Sequence, residues 1–200
     1  MMLANSGSFA VVAIGASAGG PNALEILLSR FPSGIRATIV LSQHMPNGFT
    51  KQLAQRLANV SGHNVKEAYN GCKLGVGEIL LAPGGYNMEI RVSGVIRLEQ
   101  APQIGPSPSI DVMMKSAARV YGARCVGVLL TGMLRDGVEG MKAIKGCGGI
   151  TIVQDESSSL VYGMPKAAID AGAVDIVAGI SDIADQIVIA VTRTLGRQES

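Results

Sequence analysis

Three residues of reactive type each follow an apolar stretch typical of a buried β-strand: Ser17, His44 and Asp136. A serine, a histidine and a carboxylate can act as nucleophile, base and orienting acid in acyl transfer. Ligands of open parallel sheets bind beyond the carboxyl ends of the strands, so we expect the three side chains to meet there. This hypothesis places His44 Nε2 within hydrogen-bond reach of Ser17 Oγ, with Asp136 at the other ring nitrogen.

Ser17 lies in Gly15-Ala16-Ser17-Ala18-Gly19, which satisfies the G-x-S-x-G pattern of a nucleophile on a sharp strand-to-helix turn. The following helix would direct free N–H groups towards developing negative charge. Two other interpretations stay open: Ser17 caps this helix, or the glycine-rich loop binds a phosphate. The glycine patterns of the Rossmann fold and of the P-loop are both incomplete here.

The base and the acid each have few rivals in the sequence. His63 is the second of two histidines, and it is expected to face solvent on the opposite rim of the sheet. Asp155 also follows a predicted strand, and Asp136 itself could cap the helix after it. We prefer Asp136 as the acid because the glycines beside it permit close turns. The chain order Ser, His, Asp differs from that of ordinary α/β hydrolases.

The elements that must position these residues alternate between strand and helix. The predicted strands are 9–14, 37–42, 77–81, 125–130, 149–153 and 174–177, and the predicted helices are 21–28, 50–58, 109–121, 138–145, 166–171 and a final one from 181. Segments 87–91 and 95–99 predict an antiparallel hairpin. The pattern indicates an α/β fold of three layers, α/β/α, with a mainly parallel, doubly wound sheet and an added antiparallel β-hairpin at one end.

The composition favours one domain, expected over residues 9–196, after a flexible tail or linker stub at residues 1–8. The 200 residues are 48% hydrophobic and 16% charged, which favours a well-buried core. A net charge of +2 and 4% aromatic residues argue against a nucleic-acid or membrane-surface partner. Cys72, Cys125 and Cys147 form no metal or disulfide pattern, and no signal peptide or membrane span is present. These features predict a cytoplasmic location.

Six segments together resemble the catalytic domain of the bacterial chemotaxis receptor methylesterases (CheB, protein-glutamate methylesterase). The resemblance runs from Phe9 to the final helix. The segments are Ile14-Gly15-Ala16-Ser17-Ala18-Gly19-Gly20, 43–46 with 48–50, Ala82-Pro83-Gly84, Pro108-Ser109-Ile110-Asp111, 130–133 with 136–137, and Tyr162-Gly163-Met164-Pro165.

The resemblance implies hydrolysis of γ-glutamyl methyl esters on the cytoplasmic helices of chemoreceptors, with release of methanol, and deamidation of receptor glutamines. It makes Ser17 the nucleophile, His44 the general base and Asp136 its orienting acid. Ala18 and Met133 then line the site, and the Met133 N–H belongs to the oxyanion hole. No metal or organic cofactor is implied. The implied partners are methyl-accepting chemoreceptors and a separate regulatory partner, without nucleic acid or membrane insertion.

Three positions depart from the family pattern. Ala18 stands where members carry threonine, Leu134 where glycine is common, and Pro106-Ser107 where a His-Arg pair is usual. Members usually carry an N-terminal receiver domain, but the first predicted strand begins within ten residues of Met1, so we expect the catalytic domain alone. A phosphate-binding module and a non-catalytic partner-binding domain are the alternative hypotheses.

Overall fold

Two long apolar strands form the centre of the fold. In the computed structural model, which describes residues 9–196, β1 (Ala10–Ala16) and β2 (Ala37–Gln43) are buried at every position. Val12 and Ile14 face one hydrophobic core, and Val11 and Ala13 face the other. Strands covered on both faces need no polar alternation, and both strands have an uninterrupted apolar centre, 11–14 in β1 and 39–41 in β2. The tail or linker stub expected over residues 1–8 lies outside the described residues.

The other elements follow in chain order. The strands are β3 (Val65–Glu67), β4 (Ile79–Leu81), β5 (Tyr86–Ile90), β6 (Ile96–Gln100), β7 (Cys125–Leu129), β8 (Ile150–Gln154) and β9 (Ile176–Ala178). The α-helices are α1 (Gly20–Ser29), α2 (Thr50–Ser61), α3 (Ile110–Tyr121), α4 (Val138–Gly146), α5 (Gly163–Asp170) and α6 (Ile183–Gly196). A short 3-10 helix, Gly122–Arg124, joins α3 to β7.

Seven strands form one parallel sheet in the order β3-β4-β2-β1-β7-β8-β9. Helices α1, α2 and α6 pack on one face, and α3, α4 and α5 pack on the other. The predicted three-layer, doubly wound α/β fold is therefore confirmed. Because β1 lies between β2 and β7, the loops that follow these three strands meet at the same edge of the sheet.

The predicted antiparallel hairpin is confirmed, whereas one strand of the main sheet was not predicted. Strand β3 is absent from the predicted elements, since Val65 is its one apolar residue and gives no periodic signal. The hairpin β5–β6 does not extend an end of the main sheet but forms a separate two-stranded sheet. It packs on α3, where the backbone N–H of Ile90 donates to Ser116 Oγ at 2.9 Å. Hairpin and helix thereby close one side of the core.

Cys72 and Cys125 are buried and Cys147 is exposed, all three as free thiols. Between residues 9 and 196, none of the helices combines the length and the apolar character that a membrane crossing requires.

The packing of the hairpin on α3 gives a stability prediction. Met88 in β5 is fully buried, whereas Val92 in the hairpin turn is 73% exposed. We expect Met88→Ala to lower the free energy of unfolding by about 2–4 kcal/mol, because it leaves a cavity in the core. The matched control Val92→Ala should stay within about 0.5 kcal/mol of the parent. Denaturant unfolding measures both, and equal effects would contradict the observed packing.

Candidate active site

The loops after β1, β2 and β7 continue the hydrogen bonding of the sheet beyond the strand ends. The backbone N–H of His44 donates to the carbonyl of Ala16 at 3.1 Å. On the other side of β1, the N–H of Ser17 donates to the carbonyl of Thr131 at 3.0 Å. The backbones that carry the serine and the histidine are therefore fixed relative to each other and to the loop that leads to Asp136.

The three side chains singled out in the sequence meet in one hydrogen-bonded chain. His44 Nδ1 lies 3.0 Å from Ser17 Oγ, and His44 Nε2 lies 2.8 Å from Asp136 Oδ2. The side chains of His44 and Asp136 are only 11% and 7% exposed. This arrangement of a serine, a histidine and a carboxylate is the geometry by which Ser–His–Asp sites are recognised.

The two ring nitrogens are exchanged relative to the expectation, which placed Nε2 at the serine. The strand order accounts for this difference. Ser17 follows the strand next to β2, so the nitrogen nearer the backbone of His44, Nδ1, reaches it. Asp136 follows β7, one strand further away, and it is reached by the far nitrogen, Nε2.

The N-terminus of α3 holds the carboxylate of Asp136. Its Oδ2 accepts from the N–H of Ile110 at 2.7 Å, and its Oδ1 accepts from the N–H of Asp111 at 3.0 Å and from Ser109 Oγ at 3.2 Å. Burial alone would raise the pKa of Asp136, but the hydrogen bonds from His44 and these backbone groups hold the pKa below its ordinary value. The carboxylate is therefore kept ionised beside the imidazole.

Asp111 caps the N-terminus of α4 in the same way. Its Oδ1 accepts from the N–H groups of Gly137 and Gly140 at 3.0 and 2.7 Å, at the start of α4. Asp136 thus caps α3 from the loop before α4, and Asp111 caps α4 from the first turn of α3. Burial raises the pKa of Asp111, and the negative charge of Asp136 adds to that effect. Ser109 also caps α3 as predicted, accepting from the N–H of Val112 at 3.3 Å.

The other candidates for the acid and the base, Asp155 and His63, do not contact this hydrogen-bonded chain. The carboxylate of Asp155 accepts hydrogen bonds from Ser157 and Ser158 within its own loop. His63 is half-buried rather than fully solvent-facing, and its Nε2 lies 2.9 Å from the carbonyl of Phe31. It follows α2 at the opposite edge of the sheet, as its place in the sequence predicted.

Thr131 and Gln43 organise the site, although the sequence alone assigned neither of them a role. Thr131 Oγ1 lies 2.8 Å from the carbonyl of Ala18 and accepts from the N–H of Val161 at 2.9 Å, which joins three loops. Gln43 Nε2 donates to the carbonyls of Ser17 and His44 at 2.9 and 3.0 Å. Both are polar residues at the carboxyl end of an apolar strand. That position is the feature of the sequence by which they could have been identified.

The segment Gly132-Met133 lies directly against the serine. A Cβ atom at position 132 would stand 2.7 Å from Ser17 Cβ, so only glycine allows this approach. Among residues 9–196, no acceptor is hydrogen-bonded to the backbone N–H of Ala18 or of Met133. Ala18 and Met133, the two residues expected to line the site, therefore each have a backbone N–H group without an acceptor among these residues.

Leu134 is the one residue other than glycine with a positive φ, 77°, within the described residues. This left-handed conformation costs a branched side chain on the order of 1 kcal/mol, whereas glycine adopts it freely. The side chain is nevertheless 59% exposed, so it gains little from burial. Leu134 is thus a strained, largely exposed residue two positions before Asp136.

A groove of about 530 Å³ opens beside His44, between the loop after β2, the start of the hairpin and the loop 101–107. Its lining contains no Lys, Arg, Asp or Glu, and the polar side chains in it are those of His44, Asn47, Tyr86, Gln100 and Gln103. In residues 9–196, no group of three or more His, Cys, Asp or Glu side chains could hold a metal ion. The groove presents neutral hydrogen-bonding groups to a ligand.

Fold and site together define a three-layer α/β protein with a Ser–His–Asp constellation at the carboxyl edge of its sheet. The chain matches the sequence model of the CheB methylesterases over residues 12–187. It is 48% identical over 189 residues to the protein-glutamate methylesterase/protein-glutamine glutaminase of Pyrococcus abyssi, covering 92% of this chain and 51% of that protein. The chain therefore belongs to the CheB methylesterase family.

Two further relatives agree with this assignment. The protein-glutamate methylesterase/protein-glutamine glutaminase of Clostridium acetobutylicum is 42% identical over 194 residues, which cover 96% of this chain and 56% of that protein. The crystal structure of the Thermotoga maritima CheB methylesterase catalytic domain superposes with a TM-score of 0.87 at 35% identity, covering 91% of this chain and 98% of that one. The chain spans about half the length of the curated relatives it matches.

The two capping carboxylates should act oppositely on the pH dependence of stability. The pKa of folded Asp136 lies below the unfolded value of about 3.9, so its contribution is present above that pH and is lost as the pH falls through the folded pKa. The pKa of folded Asp111 is raised, so its contribution is fully present below the unfolded pKa and is lost as the pH rises through the folded pKa.

We therefore expect Asp136→Asn to flatten the loss of unfolding free energy as the pH falls from about 6 to about 2.5, and Asp111→Asn to steepen it. Urea unfolding at a series of pH values measures these slopes. Slopes that change in the same direction in both site variants would contradict the opposite pKa directions.

Proposed function

We propose that this chain is a protein-glutamate methylesterase that hydrolyses γ-glutamyl methyl esters, with Ser17 as nucleophile, His44 as general base and Asp136 as orienting acid. The observation that carries the proposal is the continuous hydrogen-bonded chain Ser17–His44–Asp136. Membership of the CheB methylesterase family supports the choice of a methyl ester as substrate.

The first half of the reaction follows from the hydrogen bonds of His44. The ring accepts the Ser17 proton at Nδ1 as Oγ attacks the ester carbonyl, while its Nε2–H donates to Asp136. The ionised carboxylate of Asp136 fixes this tautomer and stabilises the imidazolium that forms. The imidazolium then returns its proton to the departing methoxide, and methanol leaves.

The tetrahedral intermediate carries a negative oxygen that needs hydrogen-bond donors. The backbone N–H groups of Ala18 and Met133 are suited to this role, because both border Ser17 and neither is used within residues 9–196. A backbone donor does not depend on side-chain type, so Ala18 can serve where other members carry threonine. Water activated by His44 then cleaves the glutamyl-serine ester and restores the free glutamate.

The same acyl-enzyme forms from a glutamine side chain, with ammonia in place of methanol as the leaving group. The names of the relatives include protein-glutamine glutaminase, which supports deamidation as a second activity. We further propose that the substrates are the cytoplasmic helices of methyl-accepting chemoreceptors. The protein then acts in the cytoplasm, without inserting into the membrane. We also propose that a regulatory partner controls access to the site.

Removal of the nucleophile tests the proposal directly. We expect Ser17→Ala to reduce methanol release from methylated chemoreceptor membranes by at least about 10⁴-fold, because no other hydroxyl contacts His44 in the described residues. The control Ser93→Ala, in the hairpin turn, should keep the parent rate. Unchanged turnover in Ser17→Ala would refute the assignment.

The two histidines provide a matched pair for testing the base. We expect His44→Gln to lower kcat by about 10⁴-fold, since glutamine cannot accept the serine proton. His63→Gln should leave kcat within about 2-fold, because His63 contacts Phe31 at the far edge of the sheet. A steady-state assay of both variants decides the matter, and similar losses in the two would argue against His44 as the base.

A further inference from the structure

Three exposed apolar residues lie on the two loops that border the candidate nucleophile turn. Met133, Leu134 and Leu160 are 61%, 59% and 76% exposed. They belong to the loop after β7 and the loop before α5, and we call them the apolar rim. Single exposed apolar residues are common in proteins, but a group of them beside a reactive serine offers a surface to whatever carries the substrate.

Hydrogen bonds hold the backbone of the two loops that carry the rim. The N–H of Gly132 donates to the carbonyl of Val161 at 2.9 Å, and the N–H of Met164 donates to the carbonyl of Gly132 at 2.8 Å. Leu160 also packs on the nucleophile turn, because a Cβ at Gly19 would lie 2.7 Å from Leu160 Cβ. The rim is therefore continuous with the turn that presents Ser17.

Leu134 is the residue of the rim with an unfavourable backbone conformation. Its φ of 77° is one that glycine would adopt without strain. Its side chain is mostly exposed, so burial within the chain does not offset that strain. A strained residue beside a reactive group motivates a hypothesis of function, and here the function must lie in the side chain itself.

The position of the site limits how a substrate can bind. Ser17 follows the central strand of the sheet, whereas the free edges of the sheet are β3 and β9. A substrate backbone therefore cannot add to the sheet as a further strand, and it must dock through its side chains. Because a glutamyl side chain is short, the backbone that carries the ester has to pass directly over the residues around Ser17.

We propose that the apolar rim, anchored by Leu134, binds an apolar side chain of the same substrate helix that carries the methyl ester. On a helix, residues three or four positions apart lie on one face, so such a side chain stands beside the ester. The substrate helix then contacts the rim on one side of Ser17 and the neutral groove beside His44 on the other. This inference rests on the proposed methylesterase activity and adds a specificity determinant to it.

The test uses synthetic stapled helices with one γ-methyl glutamate in an alanine-rich frame. Four peptides carry a single leucine three or four positions before or after the ester, and a fifth carries alanine at all four positions. We expect at least one leucine to raise kcat/KM for methanol release by about 10-fold over the all-alanine peptide, since it buries an apolar side chain. In Leu134→Gly that gain should fall below about 2-fold.

The controls separate this inference from its premise. Val92→Ala, which removes an exposed apolar side chain in the hairpin turn, should keep the gain from leucine. Hydrolysis of a single-residue substrate, the γ-methyl ester of N-acetylglutamic acid α-amide, reports the esterase activity without any helix. If the parent protein hydrolyses neither this ester nor the peptides, the proposed function itself fails. If it hydrolyses them but no leucine helps, or the gain survives in Leu134→Gly, the docking role of the rim is refuted.

Two further readouts test whether Leu134 serves stability or self-association instead of substrate binding. Replacement by glycine relieves the left-handed strain, so the midpoint of thermal unfolding should stay within about 3 °C of the parent. A large loss of stability would make Leu134 a structural residue and overturn the proposal. Sedimentation would overturn it too if the parent formed a dimer that Leu134→Gly dissociates, because the rim would then bind a second copy of the chain.

Discussion

The arrangement of the site depends on one buried carboxylate and the helix end that stabilises it. Burying the charge of Asp136 without partners would cost several kcal/mol or neutralise the group. The N-terminus of α3 supplies two backbone N–H groups, and the Ser109 hydroxyl lies beside them. These donors leave the carboxylate ionised, with a lone pair for His44 Nε2. The ring orientation of His44, and with it the position of Nδ1 at Ser17, follows from this arrangement.

The reciprocal capping of α3 and α4 links that carboxylate to the rest of the fold. Asp136 cannot leave α3 without also moving Gly137, whose N–H is held by Asp111. Two helices that pack on the same face of the sheet therefore fix the acid from both sides. The cost is a second, half-buried carboxylate, Asp111, whose pKa is raised by desolvation and also by the negative charge of Asp136. The reciprocal capping holds Asp136 firmly, but it also places the two carboxylates close enough to repel each other.

The features that can be predicted from the sequence are those whose signal is local. The apolar run of β1, the Ser109 cap and the reactive residues after three strands are all visible in short windows. Prediction fails where the determinant lies in another part of the chain. Strand β3 carries little pattern of its own, and it pairs with β4 alone. The exchange of caps between Asp111 and Asp136, and the choice of Nδ1 at the serine, depend on which strands become neighbours in three dimensions.

The strain at Leu134 is maintained because the chain is held on both sides of it. Gly132 is fixed by its hydrogen bonds to Val161 and Met164, and Asp136 is fixed by α3. The residues between them must complete a tight turn, and the backbone there adopts a left-handed φ. A glycine would satisfy that turn at no conformational cost, so the turn does not require a leucine. Departures from local preference concentrate at functional sites, and in the docking that we propose this departure adds apolar surface for the substrate helix.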